Sequence, residues 1–363
     1  MVSTDQGWDA VARVLRDVKS IAADVAVPLV ANLKTAGAQG GDYEGASSVI
    51  TEYFSENEAS QILLALQETG FYTKLYAGEE EFIGAVTSGG YGALPRQWKI
   101  VYNTAQSGTG AGRKSLVPAF CALHKIPVCN SNAYVLSLAR HKFHVFAILR
   151  TLGLPVTPSW LFDEKGWLFG GAPPRETKLI AKACYESASI GLDADCVGEL
   201  SGHYEAVLRK KVALLHQPYI VQNFVAGSEA EVPVMDFGSG PIALDPVAMT
   251  LDGDPFLDDR ILDYDTVYSD LGGFATTDHL SKSTIEDLRN AAQGVFRALG
   301  MTAIGRVDFR IDHDGHCSIT DVSTTPHLVR HGAFAFAFDQ AGFSHADVLG
   351  AVVGANARRL GWC

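Results

Sequence analysis

No apolar run in the 363-residue chain reaches the roughly 20 residues that a helix needs to cross a bilayer. The N-terminal segment, MVSTDQGWDAVARVLRDVKSIAADV, is unlike a secretory signal, because charges interrupt its apolar positions throughout. A cytoplasmic protein without a membrane partner is therefore expected. Cysteine is scarce and unpatterned. The six residues at 121, 129, 184, 196, 317 and 363 form no C-x-x-C pair, which argues against structural zinc and disulfides and for reduced thiols. Basic charge is in the minority, 29 Lys and Arg against 41 Asp and Glu, for a net charge of −12. A phosphate backbone attracts a basic face, so general nucleic-acid binding is disfavoured. A nucleotide stays within reach of such a chain if a few basic residues stand beside it and magnesium completes the neutralisation. Two familiar phosphate-binding signatures are also missing. No G-x-x-x-x-G-K-[ST] occurs and no G-x-G-x-x-G follows a strand, which argues against P-loop and Rossmann sites.

What is present is a globular composition, 47% apolar and 19% charged, in a chain too long for one ordinary core. Two or three packed units are expected. To about residue 130, short apolar runs alternate with helical patterns. Ser55 caps an amphipathic segment carrying Ile62, Leu63 and Leu66 and stopping at Gly70. Trp98 to Asn103 reads as a strand running into a Gly/Ser/Thr loop, Leu116 to Leu123 as a helix, and Ile126 to Cys129 as a strand. This alternation implies a parallel sheet with a functional loop at a strand's carboxyl end. From about 131 a second region follows: a helix over Leu136 to Leu152, a strand at Ser159 to Phe162, and a strand Lys178 to Lys182 before the small, polar loop Ala183 to Gly191. The third region begins near Gln217. In it Ser283-x-x-Glu286 reads as a capping box before a helix that stops at Gly300. Strands at Ala303 to Ile311 and Cys317 to Val322 then meet at the turn Asp312-His-Asp-Gly, and a closing helix runs from about Ser344 to Arg358.

The hairpin carries the strongest chemical signal. Asp308, in Gly305-Arg-Val-Asp-Phe, and Asp321, in Ser318-Ile-Thr-Asp-Val-Ser-Thr-Thr-Pro, fall on adjacent strands thirteen residues apart. Carboxylates gathered in apolar strands repel one another and lose hydration, so they usually share cations; capping a turn or pairing with lysines on an exposed face is the other account. Arg306 lies two residues before Asp308, hence on the same strand face. A fixed guanidinium there suits an oxyanion that develops in acyl or phosphoryl transfer, and is compatible with a salt bridge to either aspartate. Lys182 leaves an apolar strand beside a loop of small residues, which suits phosphate. His313, Asp314 and His316 look like a metal cluster but sit in a solvated turn, and His141 with His144 reads as a pair of helix-surface histidines.

Taken in order, these pieces resemble the D-alanine–D-alanine ligase family within the ATP-grasp superfamily, from roughly Ser55 to the C-terminus. Arg306-Val-Asp-Phe followed by Asp321-Val-Ser-Thr-Thr-Pro326 is similar to the family's Arg-x-Asp-Phe strand and its Glu-x-Asn-Thr-x-Pro-Gly. The resemblance implies an α/β (α+β) ATP-grasp fold in three domains: 1–131, an N-terminal parallel-sheet substrate domain; 132–216, the small ATP-grasp domain; and 217–363, the domain with the metal and catalytic site. It implies ATP and two magnesium ions, with manganese as a substitute, held by Asp308, Asp321 and Ser323. It gives ATP to Lys142, Lys182, the Glu186–Gly191 phosphate loop with Ser187 and Ser189, Gln222 and Asn223 at the adenine edge, and Glu229 at the ribose. Arg306 takes the place of the arginine that stabilises the acyl phosphate and tetrahedral intermediate, and Arg260 that of the lysine meeting the transferred phosphate.

The chain departs from the family on the substrate side. Ser323 stands in place of a metal-binding asparagine and His327 in place of an oxyanion-site glycine. Gly108 to Lys114 stands where the family has an acidic first-domain loop. Arg113 or Lys114 is expected to clamp a substrate carboxylate, with Arg330 or His331 beside His327 flanking the second substrate. The activity implied is an ADP-forming ligation of a small carboxylic acid to an amine, both expected to be amino acids, by a homodimer outside peptidoglycan synthesis. A degenerate nucleotide-binding regulator and a phosphotransferase are the alternatives.

Overall fold

The computed structural model describes residues 4–34, 49–268 and 271–363. Three sheet systems follow one another along the chain. In the first unit, Leu29–Ala31 lies between Leu75–Ala77 and Tyr102–Asn103, all parallel, and Val25–Ala26 pairs in parallel with Trp98–Lys99. The expected parallel sheet is therefore there, but Trp98 to Asn103 is divided between two partners. The expected strand at Ile126 to Cys129 reduces to one bridge, Val101 to Val128. Pro127 has no N–H to extend the ladder, although its carbonyl accepts from Val101.

The second sheet is antiparallel, in the order Gly166–Leu168, Ser159–Asp163, Tyr219–Asn223, Lys178–Ala183, Val197–Glu199. The third runs Gly272–Ala275, Val247–Leu251, Ser228–Asp236, Ile304–Ile311, Cys317–Ser323, with Pro241–Ala243 also on Ser228–Asp236. Alternation decides its faces. Val307, Phe309 and Ile311 are fully buried against Leu288, Ala292, Val295 and Phe296 of the Lys282–Ala298 helix, which turns Arg306, Asp308 and Arg310 to the other side.

Two elements that follow residue 217 pack outside the third sheet. Tyr219–Asn223 is the middle strand of the second sheet. The last helix, His345–Arg359, lies in the first unit's core against Thr4–Ile21 and Glu56–Glu68. Its approach is close: a Cβ on Gly354 would meet Val18 at 2.6 Å and Val14 at 2.7 Å. The expected cap at Ser283 moves to Ser281, whose hydroxyl accepts from the Thr284 N–H. Ser55 caps its helix as expected, and a capping box also forms at Ser344, where the closing helix begins.

The helix expected over Leu136 to Leu152 is two, Ala133–Arg140 and Lys142–Thr151. At the break the Lys142 N–H leaves the helical ladder and donates to the Cys184 carbonyl at 3.1 Å. That bond fastens the second helix's start to the end of the Lys178–Ala183 strand and aims Lys142 at the third sheet. Among the described residues no helix is long and apolar enough to cross a membrane.

Candidate active site

A cavity of about 400 Å³ opens between the second and third sheets and reaches the first unit at Glu52, Phe54 and Lys114. Strand register builds its polar floor. Glu231 stands opposite Asp308, which stands opposite Asp321, and Arg306 stands opposite Ser323. Arg306 clamps Asp308 with two bonds, Nε to Oδ1 at 2.7 Å and Nη2 to Oδ2 at 2.8 Å, and reaches Glu231 Oε1 at 3.1 Å. Burial works against its charge, but Asp308 and Glu231 outweigh it and raise its pKa. Lys142 Nζ grips both oxygens of Asp321, at 2.8 and 2.9 Å. Burial raises the Asp321 pKa while Lys142 and Lys182 lower it further, so the carboxylate is held below its usual range. Lys182 Nζ donates to the Thr320 carbonyl at 3.2 Å, and burial lowers its pKa. These groups make a cavity floor of carboxylates with two ammonium groups above it, one on Asp321 and one on the Thr320 carbonyl. Polyphosphate oxygens suit the former and hard divalent cations the latter.

Beside this floor the cavity becomes apolar. Ile180, Phe224, Val225, Met249 and Leu262 line it together with Gln222 and Asn223, an amphipathic lining of the character that a nucleobase requires. Glu229 sits at its edge, 3.5 Å from Arg310. Burial raises the Glu229 pKa against the opposing pull of Arg310 and Lys182. Arg310 itself is anchored on backbone carbonyls, those of Val225 at 2.9 Å and Asp258 at 2.6 Å.

The loop after Lys178–Ala183 forms the third wall. Ala188, Ser189 and Gly191 take left-handed backbone conformations, curling the loop so that Ser187 to Ile190 face the cavity. Its Glu186 faces inward to a buried ion cluster. Arg113 meets Glu52 at 2.6 Å and Glu186 at 2.8 Å, Lys114 meets Glu52 at 3.3 Å, and Arg140 meets Glu52 at 3.3 Å and Glu186 at 3.7 Å. The Ser187 N–H also donates to Glu52 at 3.1 Å, and Arg140 donates to the Ser187 hydroxyl. Burial pushes the Glu52 carboxyl up, but Arg140, Lys114 and Arg113 together bring it well below the usual carboxylate value. Burial takes the Lys114 ammonium down to about 8.

Most residues expected at the site thus converge. Lys114, Lys142, Lys182, Glu186, Ser187, Ser189, Gln222, Asn223, Glu229, Arg306, Asp308, Asp321, Ser323 and His327 all line the cavity. Four do not. Arg113 is buried behind the wall, its charge engaged by Glu52 and Glu186, so it is not placed to clamp a substrate. Arg260 is on the outer surface, bonded to Asp254 at 2.8 Å and to the Phe256 carbonyl, because its turn hangs from the Gly227 carbonyl. Gly227 itself admits no side chain, since a Cβ would fall 2.0 Å from the Ile311 carbonyl oxygen. Arg330 and His331 are exposed beyond the rim. His331 stands 3.5 Å from Glu58 Oε1, which is 3.6 Å from His327. With Phe54 packed edge-on to its ring at 4.8 Å, His327 forms the cavity mouth.

Four cavity or wall residues escaped the sequence reading. Arg310 and Glu231 had a signal, since each repeats at a spacing of two from Asp308 and Glu229 on apolar strands. Glu52 and Arg140 had none. Among the described residues the one group of three acidic or imidazole side chains with ligand atoms within 4.8 Å of one another is Asp312, Asp314 and His316, on the hairpin turn. That turn is the solvated decoy. The carboxylates in the cavity stand farther apart, each with a cation on it. As a set of oxygen donors facing phosphate-seeking lysines, they fit magnesium or manganese.

Residues 174–354 match the family model described as the D-ala D-ala ligase C-terminus. The D-alanine–D-alanine ligase of Marinobacter nauticus is 26% identical over 240 residues, covering 66% of this chain and 69% of the relative. That of Streptococcus pyogenes is 22% identical over 246 residues, covering 67% and 68%. Among solved structures, the D-alanine–D-alanine ligase of Bacillus anthracis complexed with ATP superposes with a TM-score of 0.67 over 93% of this chain and 99% of that one, at 12% identity. The Coxiella burnetii enzyme gives 0.61 over 93% and 97%, at 13% identity. A family match over residues 174–354, which build the third sheet and part of the second, with a shared architecture over nearly all of the chain, makes this protein a divergent ATP-grasp ligase related to the D-alanine–D-alanine ligases.

Proposed function

We propose that this ATP-dependent carbon–nitrogen ligase activates a small carboxylic acid as an acyl phosphate and joins it to an amine, both substrates being amino acids, in specialised metabolism rather than peptidoglycan synthesis. The observation that carries the reading is the pair of opposed ion pairs, Arg306 on Asp308 and Lys142 on Asp321, on register-matched strands beneath an apolar slot. Lys142, Lys182 and the Ser187–Ser189 loop hold the phosphates, and Gln222, Asn223 and Glu229 address the adenosine. An oxygen of the acid attacks the γ-phosphorus, ADP leaves, and the mixed anhydride remains. The amine nitrogen then attacks the acyl carbon, inorganic phosphate departs, and the amine gives up its proton. Arg306 faces the negative charge that develops on oxygen in both steps, and such positioning supplies most of the catalysis. Asp308 and Asp321, with Ser323 beside them, would hold magnesium, which neutralises charge on the phosphates. Lys114 and His327, at the far end of the cavity from the apolar slot, address the acid and the amine. The enzyme is proposed to work in the cytoplasm as a homodimer, and its thiols are free.

The test is ADP release across pairs drawn from a panel of amino acids, with the product identified by mass. Asp308→Asn should abolish ADP formation while leaving the circular dichroism spectrum unchanged. Near-normal turnover in that variant sinks the metal assignment. If ATP binds and no pair ever accelerates its hydrolysis, a nucleotide-binding regulator replaces the ligase; a phosphorylated product with no amide makes it a phosphotransferase.

A further inference from the structure

One charged side chain in the cavity has no part in this chemistry. Glu231 is 6% exposed, lines the cavity, and stands in register with Asp308, as Asp308 does with Asp321. Its Oε1 faces Arg306 at 3.1 Å, whereas its Oε2 is buried with no hydrogen-bond partner. Leaving a buried acceptor unsatisfied costs about 1–3 kcal/mol, and more when it is charged. Such a group calls for a partner that arrives with a ligand.

Charge balance says which kind. Glu229, Glu231, Asp308 and Asp321 are offset in the cavity by Arg306, Arg310, Lys142 and Lys182. The two arginines are fixed, one by its bidentate clamp and the other by backbone carbonyls. The two lysines are the cations that an entering polyphosphate attracts. As they turn to phosphate, Asp321 Oδ2 loses its Lys142 partner and Oδ1 keeps only the Val322 N–H, so both join Glu231 Oε2 as anionic ligand atoms. A hard divalent cation is the counter-charge that carboxylate and phosphate oxygens share. Ser323, the neighbour of Asp321 on the same strand, brings only a neutral hydroxyl to this task.

We propose that Glu231 is a third carboxylate ligand of the divalent-cation site, acting with Asp308 and Asp321. The inference rests on reading the cavity as an ATP site. Its rival is a bracing role, in which Glu231 serves only to steady Arg306 through Oε1.

The experiment uses the full-length protein with Mn2+ and ADP. Protein labelled with 13C only at glutamate carboxyl groups is studied by electron–nuclear double resonance, in which Asp308 and Asp321 are silent. A ligand-strength 13C coupling is expected in the labelled wild type and lost in Glu231→Gln. Glu231→Gln should also weaken Mn2+ binding by about 10–100-fold, the scale on which metal sites respond to loss of an oriented partner. The wild-type spectrum needs no variant, so a folding defect cannot mask the result. Mn2+ bound with ADP but no glutamate coupling, or an unchanged Mn2+ affinity in Glu231→Gln, overturns the proposal and leaves the ATP site standing. Failure of Mn2+ and ADP to bind the wild type overturns both.

Discussion

Replacing Glu52 by glutamine tests the ion cluster that ties the N-terminal unit to the phosphate loop. Three cations, Arg113, Lys114 and Arg140, face two carboxylates there, Glu52 and Glu186, and the Glu52 side chain is only 4% exposed. Glutamine keeps the shape and a carbonyl oxygen for the Ser187 N–H, but it leaves three cations against one carboxylate. Breaking a buried pair from one side costs about 3–5 kcal/mol. Lys114 limits the damage. Burial already brings its ammonium to about 8, and Glu52 is the main group opposing that fall, so without Glu52 it sheds its proton near neutrality. A loss at the lower end, about 3 kcal/mol, should lower the melting midpoint of the 363-residue chain at neutral pH by roughly 4 °C. The pH dependence has a definite sign. The folded Glu52 carboxyl is held well below its ordinary value of 4.5, so its stabilisation is complete above that value and is lost as pH falls through the folded one. Wild-type and Glu52→Gln midpoints, measured by scanning calorimetry, should therefore separate toward neutral pH and converge in acid. Adding Lys114→Met to Glu52→Gln should recover part of the loss, since the two sites share one network. A Glu52→Gln midpoint within about 1 °C of wild type at neutral pH, or a gap that widens in acid, refutes the reasoning.

Two further outcomes follow from local geometry. Ser281→Ala should cost about 1 kcal/mol in urea unfolding, the usual value of a helix N-cap, whereas Ser283→Ala should change stability by no more than a few tenths; the reverse order would restore the capping box read from the sequence. Arg306→Lys keeps the charge but loses the planar two-bond clamp on Asp308, and should lower kcat by about 10²–10³-fold with little change in KM for ATP. A rise in KM alone would make Arg306 a nucleotide-binding group instead.

How far the site could be read from the sequence depended on how far apart its partners lie along the chain. Arg306, Asp308 and Asp321 were legible because a single turn joins their strands: alternation fixes the face, the Asp-Gly turn brings the strands together, and the structure pairs Asp308 with Asp321 across them. Lys182 was legible as the end of an apolar strand, and the capping serine at 55 as local chemistry. Ser283 misled because Ser281, two residues earlier, competes for the same role and wins. The single helix expected around His141 failed for a tertiary reason, the capture of the Lys142 N–H by the Cys184 carbonyl.

Glu231 shows where such reading stops. Its face follows from alternation with Glu229, but the strand beside it does not, because the partner of Ser228–Asp236 is Ile304–Ile311, beyond three further strands and two helices. The same separation hides the partners of Glu52, whose bond to Arg113 spans 61 residues and whose bond to Arg140 spans 88. Periodicity assigns a carboxylate to a surface; only strand register and unit packing assign it a counter-charge. The residues most open to misreading are therefore charged groups met from a distant part of the chain. Arg113 is the clearest case: its glycine-rich surroundings suggest a free cation at a loop tip, and two carboxylates, one from its own unit and one from the 186–191 loop, consume it. Since those carboxylates are Glu52 and the Glu186 that opens the 186–191 loop, the cation expected to select the substrate instead fastens that loop to the first unit. On the proposed reading of the cavity, any change of acceptor specificity at this wall must then also move the loop that faces the phosphates.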